Sequence, residues 1–487
     1  MAPPSSLAGA VPRSAWRDVV ATAQLAVPLM LTNIAPNAFA VTNLTLVGQI
    51  GAVELAGAAL SIGMVTLAMS VLGGLDAAAM ALISSAIGGR RSNVRAIRRV
   101  LDHGFLSILL CSLVVWPILW NVHAIALMFG QEAAVADAAQ SVMRPLMWSL
   151  LPYLAFRLIR AFVGSTGRNA STLMVVALGV AVNAGVGWLL IPGRYGLPAL
   201  GLSGVGAATF CGSIVLLAGM YGVVRADRRT RRIAWSKRSW RFDTQGFGAF
   251  WQMSVPIGLT IFFEAGIFYA ALLAVGRFGV EQLAAHSIAM QVVSLAFKVP
   301  IGLGQAATIR IARARGAGDA EGAARAGWTA LGMALVFAVG TAAMLVSIPA
   351  TIARIFLGSD AAASVGVIFY ATQFLFYAGL FQIADAAQGV LAGMLRGMHD
   401  TRIPMLLAAL GYWGLGLPAG LILGFVFGLQ GKGVWMGLAL GLGVVAVLMG
   451  LRWASLARRL RAAGDREGAA IVGPFGEGAS VAPAEAN

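Results

Sequence analysis

Three carboxylates stand inside stretches that are otherwise apolar. Glu264 lies in the middle of IGLTIFFEAGIFYAALL, Asp385 in the middle of FYAGLFQIADAAQGVLAG, and Asp76 in VLGGLDAAAMAL. Lys298, in SLAFKVPIGL, is the one base placed as deeply. An ionisable group in such surroundings costs at least roughly 2.5–3.5 kcal/mol, so each is a functional candidate by default. A carboxyl group kept out of water can trade a proton near neutral pH, and when ionised it attracts a metal cation or a cationic ligand. A site whose charge depends on its occupant is what the exchange of one cation for another requires. Glu264 and Asp385 are therefore the leading pair. Asp76 lies nearer one end of its run, and Lys298 reads as a partner for an acid or as a snorkelling side chain. Phe262, Phe263, Phe268, Tyr269, Met290 and Phe297 flank the acids. Aromatic faces and methionines bind apolar cations adaptably, and packing is the plainer role for any one of them.

These residues need a scaffold that holds them in an apolar medium. Of the 487 residues, 59% are hydrophobic and 11% charged, with a mean hydropathy of +0.83. Soluble domains carry roughly 25% charged residues. Backbone in lipid must satisfy its own hydrogen bonds, and long apolar runs select helices over barrels. Twelve runs reach the length that crosses the hydrocarbon: about 19–47, 55–80, 101–121, 138–160, 170–192, 203–224, 248–276, 283–308, 326–349, 366–394, 403–427 and 433–453. The fourth is the weakest, because Arg144 and Arg157 bracket a short apolar stretch.

The chain also repeats itself. Residues 24–88 fall without a gap on 252–316, bringing Gln24 onto Gln252, Val27-Pro28 onto Val255-Pro256, Gly74-Leu75 onto Gly302-Leu303 and Gly88 onto Gly316. With six spans in each half, both copies enter the membrane with the same polarity. The expectation is an all-α polytopic membrane protein, with two six-helix lobes related by a pseudo-two-fold axis along the membrane normal. The paired prolines bend the first span of each lobe.

Placing both termini and every even-to-odd connection on one side puts 29 Lys and Arg there, 5 on the other, and Lys298 within a span. That asymmetry assigns the basic side, with both termini, to the cytoplasm. The expected organisation is a disordered N-terminus (1–16), an N-lobe (17–226), a basic cytoplasmic linker (227–246), a C-lobe (247–460) and a disordered C-terminal tail (461–487). The net charge of +16 follows from topology rather than from nucleic-acid binding, and the linker could also meet anionic lipid. Cys111 and Cys211 lie in apolar runs and read as packing residues. No metal motif, clustered catalytic set or GxxxxGK[ST] loop occurs. The chain is therefore expected to be a monomeric non-enzyme without cofactor, and the first span to be retained rather than cleaved.

Several segments in order resemble the multidrug and toxic compound extrusion (MATE) family, most closely its bacterial NorM-like branch: LVGQIGAVELAGAAL, LPALGLSGVGAAT, GVEQLAAHSIAM, VPIGLGQAATIRI, LAGMLRGMHDT and YWGLGLPAGLILG. The similarity runs from about residue 20 to 460. It implies a rocker-type antiporter of the inner membrane that expels organic cations and drugs in exchange for Na+ or H+. It also implies that Glu264 in span seven and Asp385 in span ten serve cation coupling and substrate release. Fifteen residues after Pro28 the family usually has an aspartate, where this chain has Asn43. Asparagine offers a carbonyl oxygen but no proton, so coupling is expected to fall on the C-lobe pair, with Asp76 assisting. Phe381 stands where the family often has a tyrosine. Asn183 matches a polar position of the fifth span, and Gln291 is a further candidate contact. Phe263, Phe268, Tyr269 and Phe381 are the candidate cavity residues. The competing readings are a flippase for lipid-linked oligosaccharides and an exporter of one narrow metabolite class.

Overall fold

A computed structural model describes residues 15–33, 35–48, 50–89, 94–167, 170–228, 230–231, 243–357 and 364–464. Most of the expected basic linker, the N-terminus to residue 14 and the tail from 465 lie outside these residues. Where the borders are described they move slightly: the first helix already starts at Ala15, and the last reaches Gly464.

Among the described residues, twelve helices are long and apolar enough to span a membrane. They are α1 (Ala15–Val47), α2 (Ala52–Gly88), α3 (Val94–Trp120), α4 (Ala133–Thr166), α5 (Ser171–Leu190) and α6 (Leu202–Ala226) in the N-lobe. The C-lobe has α7 (Thr244–Gly276), α8 (Val280–Ala317), α9 (Ala320–Ser347), α10 (Val365–Gly397), α11 (Arg402–Val426) and α12 (Gln430–Leu460). Apolar side chains such as Leu109, Leu113, Val336, Val447 and Leu451 are exposed on the outer faces. That is the surface a hydrocarbon solvent selects and water does not. Cys111 and Cys211 are both free thiols.

The fourth span differs from its expected form. It runs to Thr166, so Arg157 and Arg160, near its expected end, lie well within the helix and are shielded. Each is tolerated because it finds polar partners inside the lobe, as described below.

The two prolines do not have equal effects. Near Pro28, α1 ends its first segment at Thr32 and resumes at Ala35, whereas α7 passes through Pro256 without a break. α2 breaks at Leu72 and α8 at Phe297, close to equivalent positions of the repeat. In each case the second segment packs on helices of its own lobe and also meets the other lobe. α1 packs on the second segment of α8, α7 packs on the second segment of α2, and those two second segments pack on each other.

Glycines make this contact possible, and their partners obey the repeat. A Cβ on Gly74 would collide with the Ser254 carbonyl and the Gly258 amide; one on Gly302 would collide with Met30 and the Ala26 carbonyl. A Cβ on Gly88 would strike the Arg313 carbonyl, and one on Gly316 the Ser85 carbonyl. Each partner is the repeat-equivalent of the other's, 228 positions apart, as a two-fold axis between the lobes requires. The first segment of α8 instead packs on α7 and α10 of its own lobe, and that of α2 chiefly on α4. The lobes are thus joined at the end carrying the α2–α3 and α8–α9 connections.

Candidate functional site

α7 carries a clear division of faces. Leu259, Phe262, Tyr269 and Leu273 form its exposed stripe, while Met253, Ile257, Ile267, Ala271 and Ala274 are buried. At 100° per residue, Glu264 falls on the side of this buried stripe, and it is itself partly buried. Tyr269 is 54% exposed and lies on the outer stripe, away from Glu264. Sequence proximity to Glu264 is therefore not facial proximity on this helix.

α10 presents Asp385, 2% exposed, with Oδ1 lacking a hydrogen-bond partner. The two helices meet through Phe268 and Phe381, whose rings are 6.0 Å apart at 63°. Phe268 is one turn after Glu264, and Phe381 is one turn before Asp385. Because α7 and α10 run in opposite directions, this contact places the two carboxylates at one depth on facing helices. They lie within electrostatic reach of each other, and Arg396, three turns further along α10, lies within reach of Glu264. Phe263 and Phe268 pack on the same core, which holds Phe381 and Trp435, both wholly buried. Gln382, three residues from Asp385, leaves both its amide oxygen and its nitrogen without partners, and Gln388 leaves its oxygen so. Buried polar atoms are normally paired, so this concentration marks a region arranged for something other than packing.

The N-lobe has a separate polar centre without a lining carboxylate. Asn43 Nδ2 donates to Thr209 Oγ1 at 2.8 Å, and Asn183 Nδ2 to the same oxygen at 3.4 Å. Thr209 in turn donates to the Val205 carbonyl. The side-chain oxygens of Asn43 and Asn183 are buried and have no partner. Asn43 and Thr209 line an open cavity of about 90 Å3 with Phe39, Tyr153, Arg157 and Ser213. Thr209 was missed in the sequence, where a lone threonine in an apolar helix gives no signal.

Asp76 lies apart from the Asn43–Thr209 centre, within electrostatic reach of Arg396. It is paired with Arg157 at 2.8 Å, and Arg157 also donates to the Met69 carbonyl at 2.7 Å, next to the break in α2. Arg160 donates to Thr32 Oγ1 and Asn33 Oδ1, both at 3.2 Å, where α1 breaks. Asp76 therefore holds a helix break in place with Arg157. Gln291 sits on the exposed stripe of α8 with Ser287 and Val280. Lys298 is half-buried and appears in none of the described ion pairs. No cluster of three or more metal-ligating side chains occurs among the described residues.

At the joined end, Arg310 of α8 reaches Asp18 of α1 and Thr22, with Arg325 on the other carboxylate oxygen of Asp18 at 3.7 Å. Arg313 donates to the Ser165 carbonyl, and Asn33 Nδ2 to Gln305 Oε1 at 3.2 Å. These contacts latch one lobe to the other. None was anticipated, because partners 148 or more residues apart leave no local pattern.

The sequence profile of the MatE family matches residues 28–189 and 256–422. Its two matched stretches begin on Pro28 and Pro256, the same offset as the repeat. A protein of Brucella suis biovar 1 (strain 1330) described as "Probable multidrug resistance protein NorM" is 41% identical over 437 residues, 90% of this chain and 93% of that one. A protein of Mesorhizobium japonicum with the same description is 40% identical over 443 residues, 91% and 95% of the two chains. The crystal structure of MATE in the bent conformation superposes with a TM-score of 0.83 at 15% identity, covering 93% of this chain and 99% of that one.

Proposed function

The chain belongs to the MatE family, and from that premise we propose that it is a multidrug exporter driven by cation exchange. Amphipathic organic cations or drugs leave the cell, and Na+ or H+ enters. Glu264 and Asp385 form the shared site. The observation that carries this reading is their placement: two acids on facing helices, at one depth, in a core where Asp385, Gln382 and Gln388 leave buried polar atoms unpaired. An anionic site of that kind accepts either a small cation or an organic one, and the two compete for it. Phe263, Phe268 and Phe381 supply the apolar and aromatic surroundings that an amphipathic cation needs.

Alternating access then follows from the join between the lobes. The basic side of the chain faces the cytoplasm in this reading, so the joined end is the cytoplasmic one and this state is the outward-facing one of the cycle. Release outward happens in this state; loading from inside requires the joined end to part. The membrane is the bacterial inner membrane, with both termini cytoplasmic. A flippase for pyrophosphate-linked lipids needs free basic groups in its cavity. Here Arg157 is tied to Asp76 and Arg160 to Thr32 and Asn33, which argues for cations as cargo.

The test is efflux of ethidium from proteoliposomes under an imposed Na+ gradient or an imposed pH gradient, applied separately. Efflux driven by one gradient and lost in Glu264→Gln and in Asp385→Asn supports the reading and identifies the ion. Unchanged efflux in both variants would overturn the role of the pair.

A further inference from the structure

α11 does not continue as a regular helix. From Leu410 to Gly416 it widens into a π-helical turn, a feature that recurs at functional sites because it re-aims side chains without ending the helix. The turn carries Tyr412 and Trp413. Trp413 Nε1 donates to the Phe263 carbonyl at 3.1 Å, and its ring lies against Gly266. These contacts fix the turn beside the residues that flank Glu264. Tyr412 points the other way, into the core, where it is fully buried and its hydroxyl has no hydrogen-bond partner.

From this geometry we infer that Tyr412 is a third member of the coupling site, its hydroxyl serving the Glu264–Asp385 pair and the cation held there. The inference rests on the cation-exchange reading given above. Tyr412 lies within electrostatic reach of both acids. Asp385 Oδ1 lacks a partner, as the tyrosine hydroxyl does. Phe381, one turn from Asp385, brings a ring to the same core but no hydroxyl. The ionisable groups facing Tyr412 are Glu264 from α7 and Asp385 from α10, with Arg396 further along α10. α12 meets this stretch of α11 through Gly437, Gly441 and Val445, which do not ionise. A phenol can donate to a carboxylate or offer its oxygen to a cation, so it can serve the pair whether the pair is empty or loaded.

The experiment uses the full chain in proteoliposomes, with ethidium efflux followed against pH. Four proteins are compared: wild type, Tyr412→Phe, Trp413→Phe and Glu264→Gln. Phenylalanine keeps the ring and removes only the unpartnered hydroxyl, so Tyr412→Phe should purify as a monodisperse protein. Its gradient-driven efflux is expected to fall roughly tenfold. The midpoint of its pH profile should move to higher pH, because a hydrogen bond donated to a carboxylate favours the ionised form. Trp413→Phe, which loosens the clamp on α7 but leaves the site intact, should keep the wild-type midpoint. Wild-type rate and midpoint in Tyr412→Phe, with efflux lost in Glu264→Gln, would overturn the role of Tyr412 alone. A wild-type protein that shows no gradient-driven efflux would overturn the cation-exchange reading and this inference with it.

Discussion

At the residue scale, the two lobes handle polarity in opposite ways. The C-lobe concentrates two acids and several unpaired polar atoms around α7 and α10. The N-lobe concentrates neutral amides that converge on one hydroxyl, Thr209. A neutral centre has no charge to exchange with a proton, so ion coupling should be insensitive to it. Asn43→Ala removes one donor from Thr209 and leaves the carboxylates untouched. It should lower stability by about 1 kcal/mol, visible as a drop in the thermal unfolding midpoint in detergent. Its efflux should keep the wild-type response to Na+ and pH gradients. Loss of gradient-driven efflux in a folded Asn43→Ala protein would mean that coupling runs through the N-lobe as well. Asp76 illustrates a different point: its buried charge is neutralised by Arg157 at a helix break, so cost alone did not identify its role.

At the element scale, the breaks in α2 and α8 matter more than their lengths. Each divides a span into a segment that packs chiefly within its own lobe and a segment that packs on both lobes. The crossing segments touch backbone to backbone at Gly88 and Gly316, where no side chain fits. A side chain added there must push the cytoplasmic ends apart, since the obstructing atoms are carbonyls rather than flexible side chains. Gly316→Val should therefore favour the state open to the cytoplasm. Removing the charge of Asp18, which holds Arg310 and Arg325 from the other lobe, should act in the same direction by a different route. Both can be read with Ser85→Cys in a chain lacking Cys111 and Cys211, by the rate at which a membrane-impermeant maleimide reacts from the cytoplasmic side. The rate should rise several-fold in Gly316→Val and in Asp18→Asn. An unchanged rate in both would show that the seam does not govern opening. A faster rate in Gly316→Val alone would leave the latch as a static contact.

At the scale of the whole molecule, the sequence carried the plan and withheld the joints. Twelve spans were legible because lipid imposes a minimum apolar length, and their pairing into lobes was legible because a 228-residue repeat survives in the glycines and prolines. Glu264 and Asp385 stood out because charge in an apolar run is costly. What could not be read was anything set by register between distant helices: the Asp18–Arg310 latch, the Arg157–Asp76 pair, the convergence on Thr209 and the π-helical turn that aims Tyr412. Those depend on which faces meet, and Tyr269 shows how a nearby position can face outward. The same two-fold join makes a claim about motion. If the lobes move as rigid halves, the contact between Asn33 and Gln305 must break in every cycle. Cysteines at both positions, joined by a short thiol-reactive linker cleavable by reductant, should stop ethidium efflux, and reduction should restore it. Each single cysteine treated with the same reagent should keep most of its activity. Transport that continues across a complete cross-link would mean that the lobes do not separate at this end, and that access alternates by bending helices within one lobe.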